Sequence, residues 1–154
     1  MTGVAAEPTI RRARVGEAGS LSELALRSKA HWGYRAEFLE AMRELLTFTE
    51  RDLVDDLVYV LEQGHEPVGV YRIVGNPPEG ELSDLWLDPS VIGRSLGRRL
   101  FRHALDTAAA HRYRTLIIES DPNAEGFYAA MGADRIGERR SPSGRILPLL
   151  RIPT

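Results

Sequence analysis

The run LWLDPSVIGRSLGRRLF, Leu85 to Phe101, decides how this chain is read. Gly93 and Gly97 stand four apart where an apolar run turns into a helical pattern. Inside a helix glycine costs roughly 1 kcal/mol relative to alanine, so two at the start of one need a reason. Two reasons are open. Glycine serves turn geometry, or it lets backbone approach a ligand with no Cβ in the way. A helix start offers free N–H groups and about half a positive charge, which together suit a phosphate. The spacing is neither that of the P-loop nor that of the Gly-x-Gly-x-x-Gly dinucleotide fingerprint. As a ligand loop it would hold a pyrophosphate, with Arg94, Arg98 or Arg99 nearby.

Outward from the loop, ELSDLWLD reads as a strand, and the residues after the loop as a long helix. Leu96, Leu100, Phe101, Ala104, Leu105 and Ala108 line one side of that helix. YRTLIIES follows as a buried strand. This strand-helix-strand crossover predicts parallel strands, with a site at their carboxyl ends. Upstream, Thr9 to Val15 reads as a strand. Glu17 to Lys29 reads as a helix with Leu21, Leu24, Ala25 and Ser28 inward, and AEFLEAMRELLTF as a second helix carrying Phe38, Leu39, Met42, Leu45 and Leu46. LVYVLEQGHEPVGVYRIVG is two β-rich runs around Gln63-Gly64-His65-Glu66, a hairpin pattern, and NPPEG is a further turn. Downstream, Asp121-Pro122 predicts a helix N-cap with proline at the first position. That helix ends at Gly132, the left-handed cap position. DRIGE and GRILPLLRI close the chain as an antiparallel pair. The order β-α-α-β-β-β-α-β-α-β-β predicts an α/β fold with a mixed sheet.

Bulk properties narrow the function. The 154 residues fit one domain, and 43% hydrophobic with 27% charged residues suits a globular protein. A net charge of -2 exerts no general pull on nucleic acid or an anionic membrane. Lys29 is the single lysine among 20 basic residues, a bias that points to GC-rich coding rather than phosphate recognition. The absence of cysteine removes disulfides, thiolate metal sites and cysteine nucleophiles. No metal-ligand set is evident. No apolar run approaches the ~20 residues of a membrane span. MTGVAAEP lacks the regions of a signal peptide, so a cytoplasmic protein is expected. Residues 1–8 are expected to be a flexible N-terminus and 9–154 a single domain.

LWLDPSVIGRSLG resembles the acyl-CoA signature of the GCN5-related N-acetyltransferase (GNAT) family, in which Val-x-Pro precedes Gln/Arg-x-x-Gly-x-Gly/Ala. Leu87 fills the valine slot, Pro89 the proline and Gly97 the last glycine, and Gly93 matches a common extra glycine. Ile92 departs from Gln/Arg and Ser95 from the middle glycine. DPNAEGFYAAMGA is similar to a second family pattern, with Asp121, Ala124, Phe127, Tyr128, Gly132 and Ala133 in its slots. Asp121 replaces the usual asparagine, and Asn123 stands two residues on. The resemblance implies a single-domain acyl-CoA N-acyltransferase fold. Its mixed, mostly antiparallel sheet has about seven strands with a central parallel pair, and helices cover both faces. It implies acetyl-CoA as co-substrate, with main-chain pairing to Leu85, Trp86 and Leu87 where the parallel strands splay. The cradle would be Ile92, Gly93, Arg94, Ser95, Leu96, Gly97 and Arg98, with Asp121, Asn123 and Phe127 as further contacts. Dimers are common in the family, which leaves a homodimer open.

Amine acylation needs a neutral amine, a polarised thioester and a proton for the departing thiolate. An alkyl amine, with a pKa near 10.4, is about one part in a thousand neutral at pH 7, so a base helps. Tyrosine stays protonated at pH 7 and can donate to a thiolate. Tyr128 matches the family's tyrosine general acid, which leaves Phe127 for the core or the pantetheine arm. Glu81, eleven positions before Ile92, matches a glutamate that several family members use as base. Asp84, Glu119 and the absence of any protein base are alternatives. By the same resemblance, SKAHWGY (Ser28 to Tyr34) forms a wall of the acceptor groove. Lys29, His31, Trp32 and Tyr34 there suit a small acceptor with an anionic group, or else they are a helix end with satellite core. The expected reaction is acetyl transfer to the primary amine of a small molecule by direct attack in a ternary complex. The alternatives are a protein lysine or N-terminus as acceptor, or an acyl-CoA-binding regulatory module without the reaction.

Overall fold

The computed structural model describes residues 7–142 and 144–154; of the expected flexible N-terminus, residues 1–6 lie outside the described residues. Pro8 is tied through its carbonyl to Arg99, at 2.7 Å. Seven strands form one sheet: β1 (Thr9–Arg12), β2 (Leu57–Gln63), β3 (Glu66–Val74), β4 (Glu79–Leu87), β5 (Thr115–Glu119), β6 (Asp134–Arg140) and β7 (Ile146–Pro153). Their order is β1-β2-β3-β4-β5-β7-β6. β4 and β5 run parallel, as the crossover predicts, while β1–β2, β5–β7 and β6–β7 are antiparallel. The helices are α1 (Ala18–Ala30), α2 (Ala36–Met42), α3 (Glu50–Asp55), α4 (Leu96–Ala110) and α5 (Glu125–Ala130). None among the described residues is long and apolar enough to cross a membrane.

The chain divides into two compact units, Met1–Arg72 with Asp84–Phe101, and Ile73–Ser83 with Arg102–Thr154; β3, β4 and α4 run from one into the other. In the first unit α1 buries Leu21, Leu24 and Ala25, the residues its 3.6-residue period selects, in one cluster with Phe48, Leu53, Val58, Val60 and Val70. Each such aliphatic side chain contributes roughly 1.5–3 kcal/mol on burial. The β2–β3 hairpin turns on Gly64 and His65, with φ of 58° and 71°; two left-handed residues give the turn whose twist matches its strands. In the second unit Leu116 and Ile118 of β5 pair with Ile152 and Leu150 of β7, and all four are buried. Gly80 admits the Tyr113 ring against β4: a Cβ there would lie 2.6 Å from it.

Three expectations change. The helix predicted through Phe48 ends as α2 at Met42 and buries nothing of its own. Phe48 donates its N–H to the Ser22 hydroxyl at 2.8 Å instead of to a helical carbonyl, and Leu46 and Phe48 enter the core from a turn while Leu45 is left exposed. Thr49 then starts α3, which the pattern did not suggest. Its side chain accepts the Asp52 N–H while the Asp52 carboxylate accepts the Thr49 N–H, a capping box. Secondly, Asp121 is not the cap of α5; Ala124 is. The Asp121 carboxylate instead accepts the Asn123 N–H at 2.8 Å and closes a local turn first. The predicted end holds: Gly132 has φ 105°, and the Ala133 N–H returns to the Tyr128 carbonyl at 3.0 Å. Thirdly, β1 stops at Arg12 rather than Val15, because Gly16, at φ 95°, turns the chain into α1.

Candidate active site

In the first unit, Asp88 ends β4 and opens the glycine loop. Its Oδ1 accepts from the Ser90 N–H at 3.0 Å and the Ser90 hydroxyl at 2.8 Å, capping a 3-10 turn over Pro89–Val91. Its Oδ2 accepts two bonds from Arg27, at 3.1 Å from Nε and 2.9 Å from Nη2. Burial works to raise the Asp88 pKa, but the bonds from Ser90 and Arg27 outweigh it and hold the carboxyl below its ordinary value. Gly93 follows at φ 86°, with nothing within 4 Å of where a Cβ would stand; the backbone demands glycine there, not the space. Ser95 also takes a left-handed φ, 62°. The residue that replaces a glycine thus keeps a glycine conformation, at a cost of about 1–2 kcal/mol for an L-residue. Gly97 lies in the first turn of α4, where helical backbone needs no glycine. Leu96 is buried and Arg98 exposed; Ile92 is exposed too, and Arg94 reaches Gln63 at 3.4 Å.

Also in the first unit, Lys29 is 4% exposed at the end of α1. Its ammonium lies 5.0 Å from the Tyr34 ring centroid and 5.9 Å from that of Trp86. Tyr34 packs against Phe38 with ring centroids 4.6 Å apart and planes tilted by 33°. Trp86 donates its indole N–H to Asp84 at 3.0 Å, so both side chains share one face of β4, as strand alternation predicts. Arg72 stands 3.9 Å from Asp84 and bonds Asp56 at 2.9 Å. Lys29, Tyr34 and Trp86 therefore meet. His31 and Trp32 do not join them; they form a separate exposed pair, edge to face at 5.3 Å. Leu85 and Leu87 are half-buried. Phe38, read as helix core, emerges as a partner of this loop.

In the second unit the parallel ladder pairs Glu79 to Glu81 with Thr115 to Ile117, and the described pairing stops there. Glu81 accepts from Arg139 Nη1 at 2.9 Å, and the same nitrogen lies 3.5 Å from Glu119. Arg139 sits on β6, 58 residues from Glu81, and nothing local in the sequence announces it. Tyr128 is 6% exposed and its ring meets Phe127 edge to face at 5.3 Å. The buried ring of this pair is Tyr128, while Phe127 is half-buried. Asp121 also accepts from the Asn123 side chain at 3.0 Å, so these two residues hold each other.

The model of the Acetyltransferase (GNAT) family matches residues 23–133. The chain is 33% identical over 120 residues to the peptidyl-lysine N-acetyltransferase YjaB of Salmonella typhimurium, covering 77% of this chain and 74% of that protein. It is 34% identical over 73 residues to the N-alpha-acetyltransferase RimI of Mycobacterium tuberculosis, 47% of this chain and 46% of that one. A crystal structure of the PaiA N-acetyltransferase from Thermoplasma acidophilum in complex with coenzyme A has the same fold, with a TM-score of 0.79 at 16% identity over 96% of this chain and 99% of that chain. The seven-stranded sheet with its parallel pair is an acyl-CoA N-acyltransferase fold. The chain belongs to the GNAT family and is an acetyl-CoA-dependent acetyltransferase.

Proposed function

We propose that this chain, acting in the cytoplasm, moves the acetyl group of acetyl-CoA to the primary amine of a small molecule by direct attack in a ternary complex. The loop from Ile92 to Arg98 receives the pyrophosphate on backbone N–H groups at the start of α4. Leu85, Trp86 and Leu87 offer main chain to the pantetheine arm, and Asp121, Asn123 and Phe127 offer further contacts. Glu81, directly or through a water, takes a proton from the amine. The neutral nitrogen attacks the thioester carbon, the C–N bond forms and the C–S bond breaks. Tyr128 gives its proton to the departing sulfur, whose thiol has an ordinary pKa of about 8.5 against about 10 for the phenol, and the phenolate is reprotonated through water by the proton that the new amide nitrogen sheds.

The observation that carries the choice of a small acceptor is the aromatic cluster after α1. Tyr34 is packed against Phe38 and held with Trp86 around the buried Lys29 ammonium. Lys29 acts by fixing these rings, which weakens the case for an anionic group on the acceptor. The exposed His31 and Trp32 extend the wall outward. A peptide amine is the second reading, favoured by relatives named peptidyl-lysine and N-alpha-acetyltransferases. Thiol release from acetyl-CoA, measured with a panel of small amines and with lysine-bearing and free-N-terminus peptides, separates the two. Small amines are expected to show kcat/KM at least tenfold higher. Peptides turning over faster would overturn the choice.

A further inference from the structure

We propose that Arg27 is a positioning residue that makes the acceptor loop respond to the cofactor loop, acting through Asp88. The proposal rests on the reading of Ile92 to Arg98 as the coenzyme A cradle. The Asp88 carboxylate is divided between two elements. One oxygen holds, through Ser90, the 3-10 turn that leads into the cradle, and the other holds the last turns of α1 through two nitrogens of Arg27. The Arg27 side chain is 51% exposed and that of Asp88 20%. An ion pair this open contributes little to stability, about 0–1 kcal/mol, but two bonds onto one carboxylate fix direction. Two residues along α1, Lys29 lies against Trp86, which is two residues before Asp88 on β4. The end of α1 is thereby registered on the end of β4 at two points.

Beyond Lys29 the chain stays bonded past the end of α1, tightening from the helical pattern into turns. His31, Trp32 and Gly33 donate to the carbonyls of Arg27, Lys29 and Ala30 at 3.2, 3.3 and 3.1 Å. The chain first breaks direction at Gly33, φ 80°. A displacement of the 3-10 turn when phosphate draws on the loop's N–H groups is therefore passed by Asp88 to Arg27, and through the last turn of α1 and the bonded turn after it to His31 and Trp32.

The chain has two tryptophans, Trp32 and Trp86, so protein labelled with 5-fluorotryptophan gives two fluorine resonances, assigned with Trp32→Phe. Free coenzyme A is titrated into the labelled wild type, Arg27→Gln and Arg27→Lys. The wild-type Trp32 resonance is expected to shift on saturation. Arg27→Gln is expected to bind coenzyme A within threefold of wild type while its Trp32 shift falls at least threefold, and Arg27→Lys to recover at least half of it. An unchanged Trp32 shift in Arg27→Gln would overturn the proposal. Failure of the wild type to bind coenzyme A overturns the cradle reading itself, and this proposal with it.

Discussion

One terminal nitrogen of Arg139 donates to the Glu81 carboxylate at 2.9 Å and lies 3.5 Å from that of Glu119. The guanidinium lets two carboxylates at the end of the parallel pair stay close, and it occupies one oxygen of the proposed base. General bases contribute about 10²–10⁴-fold in rate. Glu81→Gln should lower kcat at least tenfold with acetyl-CoA affinity within twofold, and Glu119→Gln should change kcat less than threefold. Steady-state kinetics with a saturating amine check this. Wild-type turnover in Glu81→Gln would move the base to Asp84 or to solvent.

Tyr128→Phe keeps the buried ring and removes only the proton donor. Turnover should fall at least tenfold while calorimetric acetyl-CoA affinity stays within twofold. Retained turnover would mean that the phenol at this position is packing alone.

Ser95 and Gly93 both hold left-handed backbone, but only one of them is a glycine. Ser95→Gly should relieve the strain and stabilise the chain by about 0.5–1 kcal/mol, after the extra entropy that glycine loses on folding. Gly93→Ala should cost about 1 kcal/mol even though the space is open. Urea unfolding midpoints test both signs.

Where one element decides its own structure, the sequence was legible. The inward face of α1, the Gly64-His65 turn, the parallel pair across the crossover and the Gly132 cap all follow from spacing or from a single left-handed position. The errors arose where a distant partner outbid a local pattern. Phe48 is drawn from its helix by Ser22, and the Thr49 capping box was hidden behind an apolar run that looked continuous. In the site, Lys29 and Tyr34 meet Trp86, which lies far along the chain and was read as a main-chain partner of the cofactor, and Arg139 reaches Glu81 from a strand whose sequence reads only as a charged edge.

Asp88 gives a pH signature. Its pKa is lowered in the folded chain, since the Ser90 and Arg27 bonds outweigh the opposing effect of burial. The unfolded chain, with an aspartate near 3.9, therefore takes up this proton first as pH falls. The stabilisation is present above about pH 4 and is lost as pH falls through the lower folded value. Asp88→Asn should thus have a lower Tm than wild type at pH 7, and the gap should narrow at pH 3. A gap of equal size at both pH values would show that the charge is not its source.

The central claim is that Gly93, Ser95 and Gly97 shape a cradle for the coenzyme. Calorimetric titration of acetyl-CoA into the purified protein, with free coenzyme A and ATP as controls, tests it most directly. Micromolar binding of acetyl-CoA and of coenzyme A is expected, and none of ATP. Absence of binding by both thiol forms would contradict it, and the two glycines would then serve only to turn the chain.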